Sequence, residues 1–223
     1  MKFLTISMFL MIIILPFILL LATFGFYLFN LNFYKEKFTE YKVYNQVPQA
    51  DSLNSKVINF ITGNNNSIPN EFNPRERQHL FDVRKIILAS KIIFYFSIIL
   101  FVSLLIISAS ILNKKKNTIK FISIVLISGG FLTILLAGIV LLMAYFNFSS
   151  AFESFHRMLF KAGTYTFDPS EEIIVRLYPE QIFMDIGSRI LETALFLSVA
   201  LVFSGFILSF NSKNKKNKNR KEI

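Results

Sequence analysis

The sequence predicts an all-α membrane protein: a four-transmembrane-helix bundle, N-in/C-in, with two extracytoplasmic loops containing short interfacial helices. Three observations predict it. The 223 residues are 53% hydrophobic, and that excess is gathered into long runs instead of being spread at helical or strand period. Four of these runs reach the roughly 20 residues that a helix needs to cross a hydrocarbon slab of about 30 Å. Lys and Arg collect in the segments that an even number of crossings places on one side.

The first run, 3–31, has no charged side chain between Lys2 and Lys35. Pro16 sits inside it, where a bilayer-buried helix tolerates a kink. A signal peptide would need a shorter apolar stretch and a polar mature start, whereas Leu21-Ala22-Thr23 is followed by more Phe, Tyr and Leu. The second span, 86–112, ends at Lys114-Lys115-Lys116, and a short basic turn leads into the third, 121–146. The fourth, 190–210, stops at Asn211-Ser212-Lys213. Residues 1–212 thus read as one membrane domain with outer loops at 32–84 and 147–188, and 213–223 as a basic, Asn-rich cytoplasmic tail.

With the amino terminus inside, the inner segments carry eleven basic residues and one acidic one, Glu222. The first outer loop has seven basic and six acidic residues, the second three and six. The formal net charge of +10 therefore comes from anchoring on the cytoplasmic face, not from a surface for nucleic acid, which is not expected as a partner. Membrane lipid is the expected partner of the tail. The abundance of Lys, Asn, Ile and Phe resembles the coding bias of an AT-rich bacterial genome, a hint from composition that says nothing about mechanism.

Within the spans, Ser128, Gly129, Gly130, Ala137 and Gly138 put small residues along the third helix and let a neighbour approach closely. Lys91, Arg189 and Glu192 lie near the outer ends of the second and fourth spans, where they can snorkel or pair. The first and third spans carry no ionisable group at depth, so a proton or ion pathway through the bilayer has little to build on. Polar chemistry belongs at the outer surface.

Each outer loop is too short for an independent domain and is expected to fold down onto the bundle. In the first, Asp51 is placed to cap a short amphipathic turn with Leu53, Val57, Ile58 and Ile61 on one side, lying along the interface, and Gly63-Asn64-Asn65-Asn66 ends it. After Pro69 and Pro74, residues 75–84 run into the second span. His79 stands about two turns above the apolar slab, with Asp82 three residues on and on the same face, where a carboxylate orients an imidazole. In the second loop Phe152, Phe155, Leu159 and Ala162 form one stripe and Glu153, Arg157 and Lys161 the opposite one, an interfacial pattern. His156 falls at the border of the stripes.

These are the chain's two histidines, and both are expected at similar depth on one side of the membrane, where an acid/base pair would act on a lipid headgroup. Taken singly, each would read as an ordinary polar surface residue. The absence of cysteine excludes a thiolate nucleophile, an acyl-cysteine intermediate and cysteine-ligated metal. No His-Glu-x-x-His, Gly-x-Ser-x-Gly or phosphate-cradling glycine loop occurs. His156 has Lys161 where the glycerolipid acyltransferase box His-x4-Asp has its acid, and His79 has its Asp at the wrong spacing. Two histidines joined by Asp82, Glu153 or Asp168 is the one metal arrangement left open, and nothing in the spacing demands it; no cofactor or metal is expected.

The stretches Phe155-His156-Arg157-Met158-Leu159-Phe160, Gly163-Thr164-Tyr165-Thr166-Phe167-Asp168 and Leu177-Tyr178-Pro179-Glu180-Gln181-Ile182-Phe183, with His79-Leu80-x-Asp82-Val83 ahead of the second span, resemble the bacterial lipoprotein intramolecular transacylase family. The topology is similar over the whole chain and the motifs over about a quarter of it. The chain departs from the family pattern at Tyr165, where a tryptophan is more usual. The resemblance implies transfer of the sn-2 acyl chain of a diacylglyceryl-modified lipoprotein to the α-amino group of its own N-terminal cysteine, giving the lyso form. It implies His79 and His156 as the catalytic residues. The expected supporting residues are Asp82 to orient His79, Arg157 at the oxyanion, and Tyr178 and Glu180 to shape the site, each with structural pairing as the competing reading.

The residues suit that chemistry. An amine with a pKa near 8 must lose a proton before attacking an ester, and an imidazole with a reference pKa of about 6.5 serves as base and then as acid. Nucleophile and electrophile sit in one substrate molecule, so positioning supplies much of the rate and no covalent acyl-enzyme is needed. The competing readings are a non-catalytic membrane protein whose outer loops bind a lipid, a peptide or a partner protein, and, behind it, a metal-dependent lipid hydrolase.

Overall fold

In a computed structural model of the chain, which describes residues 2–161 and 163–221 and the side chains up to 212, every regular element is helical: α1 (Lys2–Leu28), α2 (Leu31–Glu40), a 3₁₀ turn (Val43–Asn45), α3 (Ala50–Ile61), α4 (Pro74–Leu112), α5 (Lys115–Phe146), α6 (Phe148–Leu159), α7 (Ile173–Leu177) and α8 (Glu180–Lys221). Helices α1, α4, α5 and α8 each contain a stretch long and apolar enough to cross a membrane. They bound the predicted spans closely on the apolar side and overrun them on the polar side. α1 stops at Leu28, because the Asn30 side chain accepts from the backbone N–H groups of Asn32 and Phe33 and starts a new helix. α4 begins at Pro74, twelve residues before its apolar run, and α8 at Glu180, ten before. α8 also continues through the start of the tail to Lys221; the side chains of Lys213 to Lys221, and all of Glu222, lie outside the described residues.

The chain divides into two compact units. One contains the described residues of Met1–Thr23, Ile93–Val140 and Leu191–Ile223. Met11, Leu104, Phe121 and Val125 form its apolar centre. Its other faces stay apolar and exposed, as Phe96, Ile99, Phe196 and Phe203 show, which is stable only where hydrocarbon takes the place of water. Several buried hydroxyls are bonded: Ser7 and Ser108 meet at 2.8 Å between α1 and α4, and Thr133 and Ser198 return to carbonyls one turn back in their own helices. Of the small residues of α5, Gly129 faces Leu15 of α1 and Gly130 faces Ser198 and Val202 of α8, while Gly138 has open space beside it. The close approach thus occupies the middle of α5 and not its whole length.

The second unit contains Phe24–Ile92 and Leu141–Ile190, and it corrects the expectation that each loop is too short to fold except against the bundle. Neither loop holds a core alone, but together they make one. Phe38, Leu53, Phe60, Leu177 and Ile182 are fully buried in a single cluster. α3 puts its apolar side into this core: Leu53, Val57, Ile58, Phe60 and Ile61 are all buried. Asp51 is not its cap. Gln49 holds that position, and the Asp51 carboxylate accepts from the Tyr44 hydroxyl at 2.8 Å. Two further ties cross between the loops: the Tyr178 hydroxyl donates to Oδ1 of buried Asn54 at 2.8 Å, and Tyr41 and Lys37 both bond Asp185 of α8. The Lys91 ammonium donates to the Thr62 carbonyl at 2.8 Å and lies over the Phe29 ring.

A Cβ on Gly130 would stand 2.6 Å from Cγ2 of Val202 and 3.0 Å from the Ser198 carbonyl oxygen. The backbone oxygen has no rotamer with which to retreat. Gly130→Val is therefore expected to cost about 1–3 kcal/mol and to lower the thermal midpoint in detergent. Gly138→Ala, with nothing within 4 Å, is expected to leave the midpoint unchanged or raise it.

Candidate active site

The second unit brings the two histidines together from elements far apart in the chain. His79 is placed by the start of α4, where Asn73-Pro74-Arg75-Glu76 forms a reciprocal cap. The Asn73 side chain accepts from the N–H groups of Arg75 and Glu76 at 2.9 Å each, and the Glu76 carboxylate accepts from the N–H of Asn73 at 2.6 Å. Pro74 occupies the first helical position, where its missing N–H is no loss. The other oxygen of the buried Glu76 accepts from the N–H of Ile174 at 2.7 Å, so one carboxylate fixes both the entry of α4 and the start of α7. His79 then projects from the second turn.

His156 is placed by α6, capped at its start by the Asn147 side chain accepting from the N–H of Ser150. α6 ends at Leu159, short of Lys161, and Ala162 of the predicted apolar stripe lies outside the described residues. Phe155, Met158 and Leu159 remain exposed on α6. They make an exposed apolar face on a helix that also carries exposed Glu153 and Arg157.

The imidazole centroids of His79 and His156 are 6.4 Å apart with their planes 20° from parallel. The Phe160 ring lies against both, at 4.8 Å from His79 and 5.5 Å from His156. Phe167 stands edge-on to His79 at 5.3 Å, and Tyr165 and Phe152 flank His156 at 5.4 and 4.2 Å. The His79 ring is thus buried in an aromatic surround, with the half-buried His156 ring beside it.

That environment sets their protonation. Burial pushes the His79 imidazole down to about 4, helped by the proximity of His156 and opposed by the more distant Asp82 charge. Burial also lowers His156, opposed by its bond to the Phe152 carbonyl. Both rings are neutral at neutral pH. Nδ1 of His156 is 2.8 Å from the Phe152 carbonyl oxygen; because a carbonyl only accepts, that nitrogen carries the proton and Nε2 keeps a lone pair. Nδ1 of His79 is buried with no partner among the described residues, an arrangement that costs about 1–3 kcal/mol and calls for a reason.

The expected supporting residues are not gathered around the rings. Asp82 does not bond His79: its carboxylate takes Lys85 at 2.9 Å and faces the Gln78 amide, because its position three residues on points it along the exposed side of α4. Arg157 is exposed, paired loosely with Glu153 at 3.8 Å and reaching Ser154. Tyr178 is held in the core between Tyr34, Phe38 and Phe183. Glu180 accepts from the Ser149 hydroxyl and so joins the first turns of α6 and α8. Among the described residues no cluster of three His, Asp or Glu side chains is arranged to hold a metal ion.

Beyond the apolar stripe that holds Phe152 and the family motifs that hold Phe160 and Phe167, the sequence gives no sign that these rings surround the pair, nor that Arg75 meets Glu172. In a chain with 27 phenylalanines a few more carry no signal. The Asn73-Pro74-x-Glu76 cap was readable from its spacing.

Fold and chemistry together define a polytopic helical membrane protein with a histidine pair in an aromatic cluster of its loop unit. The chain belongs to the lipoprotein intramolecular transacylase family, Lit, whose family model matches residues 4–183. It is similar in fold to the solved structure of the membrane-integral lipoprotein intramolecular transacylase Lit from Bacillus cereus, at 22% identity and a TM-score of 0.79, over 96% of this chain and 98% of that one. Two variants of the Bacillus cereus protein, with one histidine changed to arginine or to alanine, match at 20% identity and a TM-score of 0.76, covering 95% and 94% of this chain and 94% and 95% of theirs. A sequence comparison with curated proteins finds no match.

Proposed function

We propose that the chain catalyses the transfer named by its family as a histidine acid/base reaction, moving the sn-2 acyl group of a diacylglyceryl lipoprotein to the α-amino group of its N-terminal cysteine. The observation that carries the proposal is the convergence of the chain's two imidazoles to 6.4 Å within an aromatic cluster. In this reading His156 is the base. Its Nδ1–H is committed to the Phe152 carbonyl, so the lone pair on Nε2 is free to take the amine proton as nitrogen attacks the ester carbon.

His79 faces the oxygen side of the reaction. A proton on its Nε2 leaves only a lone pair unpaired at the buried Nδ1, which costs less than an unpaired N–H. A neutral imidazole of this kind donates to the developing oxyanion without first having to lose a charge. Collapse of the tetrahedral centre breaks the bond from carbon to the sn-2 oxygen. The proton taken from the amine passes to that oxygen, leaving an amide on the cysteine nitrogen and a free hydroxyl on the glycerol. The nucleophile and the ester belong to one molecule, so the protein's contribution is to hold them in contact and to exclude water that would hydrolyse the ester instead.

Expressed in a bacterium that lacks lipoprotein N-acylation, the chain is expected to convert diacyl lipoprotein to the lyso form, read by mass spectrometry of N-terminal lipopeptides. His79→Ala and His156→Ala are each expected to leave the diacyl form. Diacyl lipoprotein persisting alongside wild-type protein recovered in the membrane contradicts the proposal.

The charge distribution supports a membrane orientation with both termini in the cytoplasm and the histidine pair outside the cell membrane. The chain has no cysteine, so a single one introduced at Asn64 reports on the loop unit without background. A membrane-impermeant maleimide is expected to label intact cells at Asn64→Cys and not at Asn117→Cys in the first turn of α5. The opposite pattern contradicts the orientation.

A further inference from the structure

Arg75 lies one helical turn before His79, on the same face of α4, and its guanidinium is the centre of a set of contacts to one segment of the second loop. It donates to the Thr166 carbonyl and, at 3.3 Å, to the Gly163 carbonyl. It pairs with the buried Glu172 at 3.4 Å and lies over the Phe167 ring at 5.5 Å from its centroid. Glu172 in turn accepts from the N–H of Asp168 at 2.6 Å, which folds residues 168–172 back on themselves. The segment has no regular structure between α6 and α7, so its place against α4 rests on these contacts, beside local turns at Thr164 and Asp168. Phe167 is the residue that this segment sets against His79.

We infer that Arg75 is a positioning residue, a planar fork that holds residues 163–172 to the start of α4 and thereby keeps the Phe167 ring over His79 and water off that imidazole. The inference rests on the reading of His79 as an active-site residue. The geometry needs a fork: two carbonyls, one carboxylate and one ring face are met by a single planar group, which an ammonium cannot do. The titratable groups facing His79 are His156 from α6 and Asp82 from its own helix. The loop contributes Phe167, with Arg75 and Glu172 beyond it.

The test follows the two histidines by nuclear magnetic resonance in the isotope-labelled full chain in micelles, with no substrate present. Wild-type His79 is expected to titrate at about 4. Arg75→Gln and Arg75→Lys are both expected to raise that midpoint by about one unit or more toward the reference value of about 6.5, as water reaches the ring. Removal of the positive charge alone would raise it only in Arg75→Gln, so an Arg75→Lys midpoint equal to wild type overturns the inference. Unchanged midpoints in both variants overturn it too. Should the Arg75 variants fail to fold, Phe167→Ala is read in their place: a raised midpoint supports the role of the ring, and a wild-type midpoint overturns it. Failure of the transacylase assay in wild-type protein would sink the functional reading while leaving this titration interpretable.

Discussion

One apolar core shared by two loops is what brings His79 and His156 into the same place. The loops are joined through α4, α5 and their turn, and nothing in the spacing of the histidines would make them neighbours. The burial of Leu53 and Phe60 from the first loop against Leu177 and Ile182 from the second and its continuation supplies the driving force, at about 25 cal/mol per Å² of apolar surface removed from water. The polar ties then fix direction. Glu76, buried and accepting from both Asn73 and Ile174, is the point where the start of α4 is registered against the second loop. Loss of that carboxylate would leave the buried N–H of Ile174 and the part-buried N–H of Asn73 unpaired, a larger penalty than loss of such bonds at the surface.

This core also sets the chemistry. Burial among aromatic rings, nearly complete for His79 and partial for His156, lowers both protonation midpoints and strengthens any hydrogen bond made within the cluster. An ester in such a place is shielded from hydrolysis. The exposed apolar residues of α6, Phe155, Met158 and Leu159, adjoin His156 in sequence, so one helix carries both an apolar surface and one of the two imidazoles.

The four spans were legible because length and apolarity alone decide them, and the histidine pair because two identical residues stood out in a chain with no others. The loop unit was misjudged for a definite reason. Its core is assembled from segments more than a hundred residues apart, and amphipathic periodicity in α3 says that a face is buried but not in what. Asp82 illustrates the same limit: its spacing from His79 was read as contact, whereas Lys85 and Gln78 lie on the same surface and take its carboxylate first. Arg75 gave no signal at all, since its partners are backbone carbonyls that no sequence pattern announces.

The central claim is that the two imidazoles act as one unit on one ester. Transfer rates of purified wild-type protein, His79→Ala, His156→Ala and the double variant on a synthetic diacylglyceryl lipopeptide test it directly. Each single change is predicted to cost about 10²-fold or more, and the double variant to be no slower than the slower single one. Losses that multiply, or a single variant at the wild-type rate, would show that the rings do not share a transition state.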